Sequence, residues 1–321
     1  MHKIGHGGTH LTSWAQELHN VTLDGQVDSL SFSPDHTCLA AAGGGSIYFF
    51  SSQLEQQKVI PDAHGGAPVR CVAFAGRQLL SAGADGKVLV WEMSGEQTAV
   101  LEHDVDVLAV AGTANGLIAS SAADGAVRLW RNGAVEQTLL GHEAPVHAVS
   151  FSRDASMLVS ASADHTARVW ATERGAPLAL LRGHRDEVRA ACFGARRSAS
   201  LVVTGSLDGT ALIWQLPSPG DALEVTPLHA CKAHAAGITS LAIGENGQTL
   251  CTASMDKSVK LWTMHDFRFA RTLPGGAAVH AVVISSAGAA RVAAACGGRG
   301  GRGTLRVFGI VPRRRESGMF T

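Results

Sequence analysis

Five histidines in this chain each stand ahead of a hydroxyl residue and an aspartate, the three side-chain types of a nucleophilic hydrolase. The sets are His64-Ser81-Asp85, His103-Ser120-Asp124, His142-Ser160-Asp164, His184-Thr204-Asp208 and His234-Thr252-Asp256. Nucleophile, base and orienting carboxylate are the parts that acyl transfer needs. A triad occurs once per site, however. Here the constellation recurs five times with the hydroxyl-to-Asp interval held at four residues. Such recurrence is the mark of architecture, so no catalytic residue is assigned and no enzyme activity is expected. His2, His6 and His10 share a four-residue spacing that would align three metal ligands on a helix. Gly5, Gly7 and Gly8 oppose that helix, so neither a metal nor a cofactor is expected.

Stepping outward from these sets, a Trp follows each Asp by six residues: Trp91, Trp130, Trp170, Trp214 and Trp262. Two weaker copies end at Phe50 and Phe308, and the aromatic-to-aromatic steps are 41, 39, 40, 44, 48 and 46 residues. Self-similarity at about 40–45 residues is the length of a four-stranded propeller blade. The fourth copy reads as four short strands. Val135–Leu140 is followed by Val146–Phe151, a polar turn, Met157–Ser162, a tight turn at Asp164 and then Thr166–Trp170. No 3.6-residue periodicity is long enough for a helix. The sequence therefore predicts an all-β, seven-bladed propeller of four-stranded antiparallel blades. The last copy lacks an outermost strand, and Leu18–Leu23 lies ahead of the first inner strand. That segment should complete the last blade and remove two exposed edges. Residues 1–13 and 312–321 are expected to be tails around a propeller of residues 14–311.

The His…Ser/Thr…Asp…Trp spacing resembles the WD-repeat family of seven-bladed propellers. The resemblance implies that each set is a buried, hydrogen-bonded structural tetrad, the His bridging the Asp and the hydroxyl, and the hydroxyl meeting the Trp. The residue after each Trp is never Asp (Glu92, Arg131, Ala171, Gln215, Thr263), so the dipeptide that names the family is absent. Blade 1 offers Ala40 and Gly44 at the Ser and Asp places, and blade 7 offers Gly275-Gly276 in place of Gly-His.

Lys+Arg and Asp+Glu are both 27, so no global field recruits nucleic acid or a membrane. The six cysteines show no metal or disulfide spacing, and no apolar run has signal-peptide or membrane-span length. A soluble intracellular protein, cytoplasmic or nuclear, is expected. The resemblance implies partner proteins rather than a small-molecule substrate, with the propeller as a subunit of an assembly. One rim gathers Asp104, Asp106, Glu143, Arg185, Asp186 and Glu187 from three successive blades, a sector suited to a Lys- or Arg-bearing peptide. RNA is the alternative partner, through Arg153, Arg174, Arg196 and Arg197 on the opposite face and the tail Arg313–Arg315. A ubiquitin-ligase substrate receptor is a third reading. The Trp-Asp-x-Arg ending common in such receptors is missing from every blade.

Overall fold

Short β-prone runs in this sequence are interrupted every few residues by Gly-, Asp- and Asn-bearing turns, so hairpins are the natural local outcome. In the computed structural model, which describes residues 15–51, 53–194, 201–217, 224–244, 246–285, 290–298 and 302–310, these hairpins stack into seven sheets. Blade 4 is representative, with Val146–Phe151 innermost, then Met157–Ser162, Thr166–Ala171 and Pro177–Arg182, all antiparallel. The seven innermost strands are Val27–Phe32, Val69–Ala75, Val107–Gly112, Val146–Phe151, Val188–Phe193, Ile238–Ile243 and Val279–Ser285. Each packs beside the next, and the seventh packs beside the first, so the sheets form a closed ring. No helix among the described residues is long and apolar enough to cross a membrane.

Burial explains why the ring holds. The second strands are almost wholly inside: every residue of Cys38–Gly43 and of Leu201–Ser206 is buried. The apolar clusters lie between blades rather than within them. Val159, Val169 and Leu181 of blade 4 pack with Phe193, Val202 and Trp214 of blade 5. Because each blade buries its faces only against its neighbours, stability is shared around the ring.

Closure follows the predicted route. Ala15–Leu23 pairs antiparallel with Gly303–Ile310 as the outermost strand of blade 7. Arg306 grips Glu17 with two parallel bonds of 2.9 Å each, joining positions 289 residues apart. Such fork-to-fork pairs add geometric specificity to their charge. In blade 5, Thr210–Gln215 pairs antiparallel with the outermost strand His229–Lys232. Between them in sequence, Glu224–Val225 pairs in parallel with Pro177–Arg182, covering part of blade 4's outer edge. Residues 218–223, residues 299–301, both terminal segments and Arg196–Arg197 lie outside the described residues.

Deleting residues 1–24 removes this closing strand and is expected to lower the melting temperature of the entire ring. Deleting residues 1–13 leaves Glu17 and the ladder intact and should leave the melt unchanged. Thermal unfolding of both truncations checks this, and coincident melts would refute closure by Ala15–Leu23.

Candidate partner-binding face

Four blades share one hydrogen-bond pattern. In blade 2, His64 Nδ1 donates to Asp85 (2.8 Å), Ser81 donates to His64 Nε2 (2.8 Å) and Trp91 Nε1 donates to Ser81 Oγ (2.8 Å). Blade 4 repeats it through His142, Asp164, Ser160 and Trp170 at 2.7, 2.8 and 2.8 Å. His184, Asp208, Thr204 and Trp214 do so in blade 5, and His234, Asp256, Thr252 and Trp262 in blade 6. The connectivity is that of a hydrolytic triad, but the hydroxyls are sealed. Ser81, Ser160, Thr204 and Thr252 are 0% exposed, and the indole N–H occupies the oxygen that would attack. The network works as a buried polar unit in which every member is satisfied.

The Asp carboxylates also fix the face above them. Asp164 accepts the backbone N–H of Glu143 (3.2 Å) and Asp208 that of Arg185 (2.9 Å), while Asp256 takes that of Ala235 (3.3 Å). Their other oxygens accept the hydroxyls of Thr166, Thr210 and Ser258 at 2.6 Å each. Burial pushes Asp164 up, but the bonds from His142 and Thr166 outweigh it and hold the carboxyl well below its usual range. Each Asp thus ties the loop into its blade to the tight turn beside it.

Blade 3 departs from this. Arg128 inserts between the partners, with Nη2 donating to Asp124 (2.8 Å) and Nη1 donating to His103 Nδ1 (3.1 Å). Since Nδ1 accepts here, Nε2 carries the proton and donates to Ser120 (2.9 Å), which also accepts from Trp130 (2.7 Å). His103 therefore holds the opposite tautomer from the other four. Burial, then the Arg128 charge, lower it to about 4. The tetrad implied for His103, Ser120, Asp124 and Trp130 is corrected to a five-residue network.

Blades 1 and 7 replace the polar set with apolar contacts. Strand register places Ala41, not Ala40, opposite Tyr48 at the hydroxyl position, because the Gly44-Gly45 turn is one residue shorter. Leu23 stands four residues before Val27, as each of His103, His142, His184 and His234 stands before its own inner strand, and it packs in one cluster with Ala41 and Phe50. In blade 7 the His position is Gly275 rather than Gly276. Gly275 N–H donates to Lys257 O (2.8 Å), as His103 donates to Gly86 O (2.8 Å) and His234 to Gly209 O (3.0 Å). Ala294 stands opposite Arg306 at the hydroxyl position and Phe308 at the Trp position. Tyr48 donates to Asp24 O (3.3 Å) and Arg306 to Pro274 O (2.8 Å), so each blade keeps one polar tie to its incoming loop.

The face these networks support carries two rings of side chains. The outer one holds the predicted rim: Asp104, Glu143, Arg185 and Asp186 are exposed, and Asp106 is half-buried. Glu187 is drawn inward, 2.7 Å from Arg189 and 3.3 Å from His147, so its charge is partly committed within the protein. The inner ring was not foreseen from sequence. All seven innermost strands carry a β-bulge after their first residue, which leaves the second residue outside the ladder. Bulges re-aim side chains, and here they surround a central channel of about 280 Å³ with Asp28, Arg70, Leu108, His147, Arg189, Thr239 and His280. Among the described residues Arg70 has no side-chain partner. The available signal was a polar residue directly after the first apolar residue of six of the seven inner strands, Leu108 being the exception.

Trp170→Ala is expected to cost about 3–5 kcal/mol as a large-to-small core change. Asp164→Ala should cost roughly 1–3 kcal/mol by stranding its donors, and Asp124→Ala less than Asp164→Ala, because His103 does not depend on Asp124 directly. Denaturant unfolding of the three variants ranks them. His103 also sets a pH dependence. Its folded value of about 4 lies below the ordinary 6.5, so between these the unfolded chain binds the extra proton and stability falls as pH drops through that window. Arg128→Leu should free Nδ1 to donate to Asp124 and raise the His103 value, read from imidazole proton shifts in an NMR titration.

The chain matches the family description "WD domain, G-beta repeat" six times, at residues 17–51, 55–92, 95–131, 133–171, 175–215 and 225–263. Each match begins with an outermost strand and ends just past the aromatic, so repeat and blade are out of phase by one strand. A stretch of 117 residues is 26% identical to the "Ribosome biogenesis protein WDR12 homolog" of Nematostella vectensis. That stretch covers 36% of this chain and 27% of the relative's length. Six repeat matches spanning more than half of the sequence, on seven four-stranded blades, show that the chain belongs to the WD40 repeat family.

Proposed function

We propose that this WD40 propeller is a non-catalytic platform that holds partner proteins within a multi-subunit assembly. The observation that carries the reading is the rim of blades 3 to 5. There, Asp104, Asp106, Glu143 and Asp186 stand on loops of three adjacent blades, and at Glu143 and Arg185 the backbone is pinned by a half-buried Asp. Turn residues held by a rigid scaffold present a pre-organised surface to a partner. A Lys- or Arg-bearing segment is the complementary ligand. The clustered charge contributes to association rate and specificity more than to affinity, and it weakens with salt. Glu187 belongs to the inner side of this surface, where Arg189 and His147 already engage it.

A second reading is a component of a ribonucleoprotein assembly, favoured by the likeness to a protein named for ribosome biogenesis. That likeness is compatible with a nuclear location. It predicts contacts that depend on RNA and fall steeply with salt.

Asp104→Lys combined with Asp186→Lys is expected to leave the melting temperature unchanged while releasing the partners that co-purify with the wild-type chain at low salt. Retention of the same proteins at the same salt would refute the rim assignment. Ribonuclease treatment before purification separates the two readings, since only the second predicts that the partners are lost with the RNA.

A further inference from the structure

We propose that blade 7 carries a socket for an anionic side chain of a partner polypeptide, built from the donors that in other blades hold the tetrad aspartate. In blades 4, 5 and 6 that carboxylate accepts two recurring donors. One is the backbone N–H one residue past the His, on Glu143, Arg185 and Ala235. The other is the hydroxyl two residues past the Asp, on Thr166, Thr210 and Ser258. Blade 7 retains both donors. Gly276 follows Gly275 as Glu143 follows His142, and Thr304 stands four residues before Phe308 as Thr166 stands before Trp170. Among the described residues neither Gly276 N–H nor Thr304 hydroxyl has a hydrogen-bond partner.

The acceptor is missing together with the imidazole. A Cβ at Gly275 would lie 2.5 Å from Val279 Cγ2 and 2.9 Å from Lys257 O, so no side chain can enter from that position. What remains is a cavity of about 590 Å³. Asn20, Lys257, Thr304 and Arg306 line it together with the Gly275–Ala278 backbone, and among the described residues no carboxylate lines it, Glu17 standing behind Arg306 as its partner. Blade 1 lost the same tetrad but filled the space with Leu23, packed on Ala41 and Phe50. Blade 7 did not.

The chemistry of the lining selects the ligand. Lys257 is exposed and unpaired among the described residues, on a left-handed backbone (φ 71°) beside the cavity. Arg306 is held at its wall by Glu17 and Pro274 O, a fixed guanidinium rather than a mobile one. Backbone N–H, hydroxyl and the unpaired Lys257 around one space favour an oxyanion, since charge-assisted bonds to such groups are the strong ones, while the charge of Arg306 is already met by Glu17. The shared chemistry is a carboxylate or phosphoryl oxygen, offered by Asp or Glu or by a phosphorylated Ser or Thr. The site lies on blade 7, and its occupancy is independent of the acidic rim of blades 3 to 5.

The test is an NMR titration of the full-length chain at low salt with inorganic phosphate and, separately, with acetate, following backbone amides. Saturable shifts at Gly276 and Thr304 are expected. Lys257→Ala with Thr304→Val should weaken them about tenfold or more, as loss of charge-assisted bonds does, and the single exposed change Lys257→Ala gives the same direction should the pair disturb folding. Saturation by phosphate alone assigns a phosphorylated residue, and saturation by both anions assigns Asp or Glu as well. No saturable shift at Gly276, or equal shifts in wild type and the variants, overturns the proposal.

Discussion

Two turns meet at the same end of every blade, and their backbone N–H groups need an acceptor that the neighbouring strands cannot supply. In blades 4, 5 and 6 a single Asp carboxylate meets that need, taking a ring N–H from His and backbone or hydroxyl donors from both turns, and in blade 2 Asp85 takes the His64 ring and the Lys87 N–H. The His in turn places its second nitrogen on a fully buried hydroxyl, and the hydroxyl accepts the Trp indole. Each of these bonds is worth about 1 kcal/mol net, yet removing one member leaves the others unsatisfied in a dry interior. The tetrad therefore persists only where every member keeps a partner, directly in four blades and through Arg128 in blade 3. Blades 1 and 7 lack it, with apolar or absent side chains at His, Ser and Trp positions together.

Ring closure obeys the same logic on a larger scale. Since apolar clusters bridge adjacent blades, an open ring would expose the faces of its two terminal blades. Out-of-phase repeats avoid this. The chain's first strand is donated to its last blade, and the cluster that contains Leu23 also contains Leu30 and Leu39 of blade 1 and Ala293 and Leu305 of blade 7. Closing strand, seam and tetrad-free blades thus coincide. The two blades without tetrads flank the seam, where the Glu17–Arg306 fork and the extended ladder supply what the tetrad supplies elsewhere.

Much of this was legible in the sequence because spacing is imposed by geometry. Ser to Trp is ten residues in each of the five sets because a tight turn of fixed size separates two paired strands. Where the turn changes size, counting fails. Phe50 minus ten gives Ala40, while the shorter turn puts Ala41 in place. The Arg128 insertion was hidden for a different reason. Arg168 and Lys260 occupy the same position in their blades and leave the His–Asp bond intact, so residue type alone does not distinguish them. The rim acids were legible as charges on loops. That Glu187 is engaged by Arg189 and also by His147 of the preceding blade depends on a contact between residues 40 positions apart. The channel ring escaped because a bulge looks like ordinary strand alternation until register is known.

Repetition also determines where specificity can reside. A tetrad seals its hydroxyl and indole so thoroughly that they are left nothing to bind, and the four blades that share it are chemically interchangeable at their cores. Distinct chemistry arises only where the repeat is broken or where its side chains are not constrained by it. Arg128 moves one imidazole to another tautomer, seven bulges present side chains of five types to one channel, and blade 7 keeps a tetrad's donors without its acceptor. Buried donors without acceptors are costly, whereas donors at an open cavity can be completed by a ligand at little reorganisation. A repeat scaffold therefore acquires a binding site most directly by deleting one internal partner and leaving the rest of the network in position.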